Sequence, residues 1–197
     1  MTKEALLIID IQFDFLEGGS LAIPGGNEVI HEILKVAPNF ETIILSQDWH
    51  PAGHKSFASS HPGKSSFDQI EWQGKTETLW PDHCVQNTEG AKIHPEILAL
   101  NPSIIIQKGN DREIDSYSAF FDNNKQKKTG LESWLKKHQI QKLAICGLAT
   151  DYCVKYSVLN ALELGFGVSV LIKASRPVNP NMAELAFVEM KNKGAKF

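Results

Sequence analysis

Five runs of apolar, largely β-branched residues punctuate the chain: ALLIID (5–10), TIILSQD (42–48), SIIIQKG (103–109), KLAICGL (142–148) and GVSVLIKA (167–174). Each is continuous rather than alternating, which is the pattern of parallel strands covered on both faces. Between them the apolar spacing changes to three and four. Val29, Ile30, Ile33, Leu34 and Ala37 share one face of a helix over 27–37. In TGLESWLKKH, Thr129 and Glu132 stand at capping-box spacing, with Leu131, Trp134 and Leu135 as the apolar side. Val154, Val158, Ala161 and Leu162 face inward from a helix over 153–164. A last helix is predicted to start near Pro180, to bury Leu185, Ala186, Val188 and Met190, and to stop at Gly194.

Strands alternating with helices predict an α/β fold: an open parallel β-sheet flanked by helices on both faces, three layers in all, with right-handed crossovers. A single domain is expected over 1–197. The region 50–100 stands apart, being long, polar and aromatic, with no strand pattern. Loops of that length in a compact domain are usually functional.

Composition narrows the function. A net charge of -3 without any basic tract removes nucleic acid and membrane surfaces as partners. No apolar run approaches the ~18 residues that span a bilayer. The opening MTKEALLIIDIQ lacks a cleavage-site pattern and leads into a strand, so it reads as core rather than as a signal peptide. Three cysteines cannot all pair within one chain, and they are expected as reduced thiols in a cytoplasmic protein.

In open α/β sheets, ligands bind beyond the carboxyl ends of the strands. The first strand ends at Asp10, the second at Asp48 with His50 two residues on, the third at Lys108, and the fourth just before Cys153. Taken singly, each has a plainer role: a turn cap, a solvated lysine, a packed thiol. Their coincidence at the same ends of successive strands points to chemistry. A helix N-terminus and a nearby ammonium both favour a thiolate at Cys153. Asp10 would carry the thiol proton to a leaving group. The Ala149 and Cys153 amides, in a bend of small residues, would face a developing oxyanion.

A second cluster is DWHPAGH, 48–54. Asp48 and His50 have the spacing at which two side chains converge on one metal ion. The third ligand is open among His54, His61, His83 and His94. A mixed oxygen and nitrogen set suits Zn²⁺, Fe²⁺ or Mn²⁺, and surface hydrogen bonding is the plainer alternative.

The pieces LLIIDIQFDFLEGGSL, SQDWHPAGHKSF, LWPDHCVQNTEGA, the Lys108–Gly109 pair and CGLATDYCV together resemble the isochorismatase-like cysteine hydrolases, and within them the nicotinamidases. The resemblance covers nearly the whole chain. It implies a triad of Cys153 as nucleophile, Asp10 as proton carrier and Lys108, and a divalent metal, zinc first, on Asp48, His50 and His83. His54 would ligate directly, through water, or only support the others. The resemblance also implies a cis peptide at Leu148–Ala149 that turns the Ala149 N–H towards the oxyanion. Phe15 and Trp80 would sandwich a pyridine ring, and Tyr117, Leu148 and Tyr152 would border the pocket. The implied reaction is hydrolysis of nicotinamide to nicotinate and ammonia in NAD salvage, with pyrazinamide as a related substrate. The alternative is another small amide or carbamoyl compound. Segment 58–79 and the oligomeric state, single chain or homo-oligomer, stay open.

Overall fold

The computed structural model describes residues 3–197. Its strands are β1 (Glu4–Ile9), β2 (Ile43–Asp48), β3 (Gln69–Trp72), β4 (Lys75–Thr78), β5 (Ile104–Lys108), β6 (Lys142–Leu148) and β7 (Gly167–Arg176). The helices are α1 (Glu28–Val36), α2 (Pro95–Leu98), α3 (Leu131–Lys137), α4 (Lys155–Glu163) and α5 (Pro180–Asn192). The five predicted apolar runs make one parallel sheet in the order β5-β2-β1-β6-β7.

The alternation of side chains along a strand builds the layers. Leu6 and Ile8 of β1 pack with Val29, Ile30 and Ile33 of α1 on one face. Ala5, Leu7 and Ile9 pack on the other with Leu131, Leu135, Val158, Ala161, Ala186 and Met190 from α3, α4 and α5. With both faces covered, the strands need no polar side, hence the continuous apolar runs. The chain builds outward from β1 through β2 to β5, then returns to the far side of β1 with β6. The order therefore reverses between β1 and β6, and a crevice opens beyond their carboxyl ends.

Close approach of those two strands depends on Gly147, which pairs with Ile9 and has φ +118°. A Cβ at Gly147 would lie 2.2 Å from the Ile9 carbonyl oxygen. Gly147→Ala is therefore expected to destabilise the fold by about 1–3 kcal/mol or more, read as a lower urea midpoint. An unchanged midpoint would show that the strands can separate at no cost.

Four expectations are corrected. The region 50–100 does contain strands: β3 and β4 form an antiparallel hairpin within the segment 58–79. Thr129 and Glu132 do not form a capping box. Gly130, at φ +96°, precedes the helix; the Thr129 hydroxyl accepts the Leu131 N–H and donates to the Ala119 carbonyl, while Glu132 pairs with Lys128 and Lys136. In α5 the small Ala183 and Ala186, with Met190, face the sheet, whereas Leu185 is 63% and Val188 58% exposed. The helix after β6 begins with a wide turn over Thr150–Val154, in which the Val154 N–H reaches back five residues to the Ala149 carbonyl, and α4 proper follows. Among the described residues, no helix is long and apolar enough to cross a membrane.

Candidate active site

Asp10 follows the last residue of β1 in the left-handed region, φ +52°, a conformation that aspartate tolerates better than most residues. Its Oδ1 accepts the Ser46 hydroxyl at 2.6 Å. Lys108 ends β5 as the register partner of Asp48, which ends β2. The Lys108 Nζ lies 2.9 Å from Asp10 Oδ2 and 3.0 Å from Asp48 Oδ1. It also donates to the Ser116 carbonyl at 2.9 Å and to the Cys153 sulfur at 3.5 Å. One buried ammonium thus joins residues 10, 48, 108 and 153. Asp10 Oδ2, although close to it, receives no well-directed hydrogen bond and is left with capacity for a proton.

Burial pushes the Cys153 thiol well above its ordinary range and outweighs the opposing pull of Lys108. Asp10, held by the same ammonium, is the carboxylate placed to exchange a proton with that sulfur. Burial also raises Asp10, reinforced by Asp48 and opposed by Lys108, which gives that carboxylate the proton affinity of a base. Burial disfavours the charge on Lys108, but Asp10 and Asp48 hold its pKa well above the usual lysine range.

Beside this group, Asp48, His50 and His83 bring one donor atom each within 4.8 Å of one another, all buried. The His50 Nδ1–H donates to the Gly109 carbonyl at 2.9 Å, and the His83 Nδ1–H donates to the Pro81 carbonyl at 2.8 Å. Carbonyls only accept, so in the neutral form of each ring Nε2 is the nitrogen with a lone pair to offer. Those nitrogens lie 3.0 and 3.4 Å from Asp48 Oδ2. Such a cluster of two ring nitrogens and a carboxylate oxygen could hold a metal ion. Carbonyl-anchored histidines are also the usual outer support of a metal ligand. Gly109, at φ +68°, fits tightly against the group: a Cβ there would meet His50 Cε1 at 2.5 Å and Asp48 Oδ1 at 2.9 Å. The residues thus fit a divalent metal.

His54 has no free nitrogen. Its Nε2–H donates to the Asp111 carbonyl at 2.7 Å, and its Nδ1 meets the Ser56 hydroxyl at 2.7 Å and the Ser56 N–H at 3.1 Å. It stands against His50, with ring centroids 4.3 Å apart, and His50, His54 and Asp115 also bring ligand atoms within 4.8 Å of one another. His61 is tied to the Lys55 carbonyl, and His94 packs on Phe13.

A narrow cavity opens over the sulfur, lined by Phe15, Trp80, Tyr117, Tyr152, Ala149 and Cys153 together with Asp48 and His83. Trp80 donates its indole N–H to the Tyr117 hydroxyl at 3.2 Å. The Leu148–Ala149 peptide is cis, as expected. Leu148 itself is corrected: it is buried in the core and is not among the residues that line the cavity.

Two functional neighbours escaped the sequence reading. Gln12 is fully buried; its amide donates to the Asp48 and Ala91 carbonyls at 2.7 and 2.9 Å and accepts the Asp48 N–H at 2.7 Å, which stitches the ends of β1 and β2 together. A polar residue two places after Asp10 in an apolar stretch was its signal. Asp115 approaches His50 Nε2 at 3.9 Å from the loop after β5. Its signal was its place, in a loop leaving a carboxyl end of the sheet.

An isochorismatase domain profile matches residues 4–197. The nicotinamidase of Escherichia coli strain K12 is 45% identical over 201 residues, covering 99% of this chain and 94% of that protein. Among solved structures, an Acinetobacter baumanii nicotinamidase pyrazinamidase superposes with a TM-score of 0.95 at 38% identity, over 100% of this chain and 95% of that one. A Pyrococcus horikoshii pyrazinamidase, solved in complex with zinc, superposes with a TM-score of 0.77 at 33% identity, over 98% and 97%.

Proposed function

The chain belongs to the isochorismatase family, and we propose that its reaction is the hydrolysis of nicotinamide to nicotinate and ammonia through a thioester on Cys153. Nicotinamidase relatives align over almost its whole length. The observation that carries this reading is the Lys108 ammonium, held at once by Asp10 and by the Cys153 sulfur beneath an aromatic cavity.

The steps follow from these residues. Phe15 and Trp80 hold the ring, and Tyr117 and Tyr152 close its border. Asp10 takes the thiol proton as the sulfur bonds to the carboxamide carbon. The Ala149 and Cys153 amides receive the oxyanion, and Lys108 balances the negative charge between sulfur and carboxylate. Asp10 then returns the proton to the departing nitrogen, the C–N bond breaks, and ammonia leaves. Water gives a proton to Asp10 and its oxygen to the thioester carbon. The C–S bond breaks and the sulfur regains the proton. A divalent ion on Asp48, His50 and His83, zinc by preference and iron or manganese otherwise, would supply a Lewis-acid anchor for the ring nitrogen when bound. A cytoplasmic setting is part of the proposal, supported by three free thiols.

The test is ammonia release from nicotinamide against a panel of small amides and carbamoyl compounds. Nicotinamide and pyrazinamide are expected to lead the panel. A carbamoyl compound without a ring nitrogen, turned over faster than both, would replace this reading.

A further inference from the structure

Asp151 is a buried carboxylate that the mechanism does not use. It lies two residues before Cys153, in the wide turn, yet its side chain bonds outside that turn. Its Oδ1 accepts the Val178 N–H and its Oδ2 the Asn179 N–H, each at 2.9 Å. Both belong to Pro177-Val178-Asn179-Pro180, the link from β7 into α5. Proline has no N–H, so these are the only two amide hydrogens between Arg176 and Asn181, and one carboxylate takes both. The Asn179 side chain is occupied elsewhere, accepting the Asn181 N–H at 3.0 Å as the cap of α5. Val178, meanwhile, lines the active-site cavity together with Cys153, Phe15 and Trp80.

From this geometry we infer that Asp151 is a positioning residue for substrate binding. It clamps the proline-bounded link to the turn that carries the nucleophile, and so sets the gap between the Cys153 sulfur and the Val178 wall. The inference rests on the nicotinamide reading for its kinetic readout and on geometry alone for a second one.

Asp151→Asn keeps the side chain's size, removes one acceptor and turns an NH₂ group towards a backbone N–H. It is expected to raise KM for nicotinamide about tenfold while kcat changes far less, since one charge-assisted hydrogen bond is lost and the reacting groups remain. Asp122→Asn is the control. That carboxylate accepts three backbone N–H groups, from Asn124, Gln126 and Lys127, in a loop none of whose residues lines the cavity. It is expected to lower Tm and leave KM alone. Val178→Ala should raise KM by itself and add little in the Asp151→Asn background, because both changes act on one wall. The clamp is overturned if Asp151→Asn behaves like Asp122→Asn, or if Val178→Ala leaves KM unchanged. Should Asp151→Asn fail to fold, Val178→Ala alone decides. Alkylation of Cys153 by iodoacetamide gives the readout that needs no substrate. It is expected to run several-fold faster in Asp151→Asn than in wild type, and equal rates overturn the clamp. Wild type that alkylates but releases no ammonia overturns the nicotinamide reading and leaves the clamp standing on its alkylation rates.

Discussion

Cys153→Ala is expected to release ammonia from nicotinamide at a rate lower than wild type by roughly 10⁴-fold or more, the scale of losing a covalent nucleophile whose partners act as a unit. The sulfur lies against Lys108 and lines the cavity. Removing it leaves Asp10 and Lys108 paired to each other, with no carbon–sulfur bond to form. The fold should survive, because the change removes only a sulfur atom from a core residue that also lines the cavity. Metal content should be unchanged, since none of Asp48, His50 or His83 bonds to the sulfur. Ammonia release at the wild-type rate, with the mutation verified by mass, would end the assignment of Cys153.

The second large effect is on the metal. His83→Ala removes one of three donors and is expected to leave purified protein with well below one ion per chain, with KM for nicotinamide raised tenfold or more, in line with about 10–100-fold losses for groups that merely support a ligand. The kcat of the remaining activity should fall less, because Asp10, Lys108 and Cys153 do not touch His83. The ring of His83 also packs against Phe15, with centroids 5.4 Å apart, so the variant thins the aromatic wall as well. Chelating wild type separates the two causes: the chelated protein should show the same rise in KM with the wall intact, and it should recover on adding back zinc, iron or manganese. Full metal content in His83→Ala would remove that residue from the ligand set.

Much of this architecture was legible because burial writes itself into sequence. A strand covered on both faces has no polar side, so the runs at 5–10, 42–48, 103–109, 142–148 and 167–174 all became strands, with ends displaced by a residue or two. The rule that ligands gather at carboxyl ends then placed Asp10, Asp48, Lys108 and Cys153 together without a template. The hairpin at 69–78 was missed for the opposite reason. QIEW and KTET are short, charged and half exposed, and pairing rather than core burial defines them. In α5 the rule of large apolar residues chose Leu185 and Val188, whereas close packing on the sheet favours the small Ala183 and Ala186.

Polar partnerships across long sequence separations were the least legible. The side chain of Gln12 grips the backbone of Asp48, and Asp151 grips Val178 and Asn179, contacts of 36, 27 and 28 residues that no local pattern announces. The depth of burial at Cys153 was hidden on similar grounds. The neighbours that lower a thiol's pKa were visible in the chain, but the depth of burial that overrides them was not. The same burial raises Asp10, the carboxylate that the sequence named as proton carrier.

One crystal structure of the metal-loaded chain with nicotinate would examine the whole arrangement at once. The account predicts the pyridine ring between Phe15 and Trp80, its nitrogen turned to an ion on Asp48, His50 and His83, and its carboxyl carbon within ~3–3.5 Å of the Cys153 sulfur. A ring seated elsewhere, or a carboxyl group turned away from that sulfur, would contradict it.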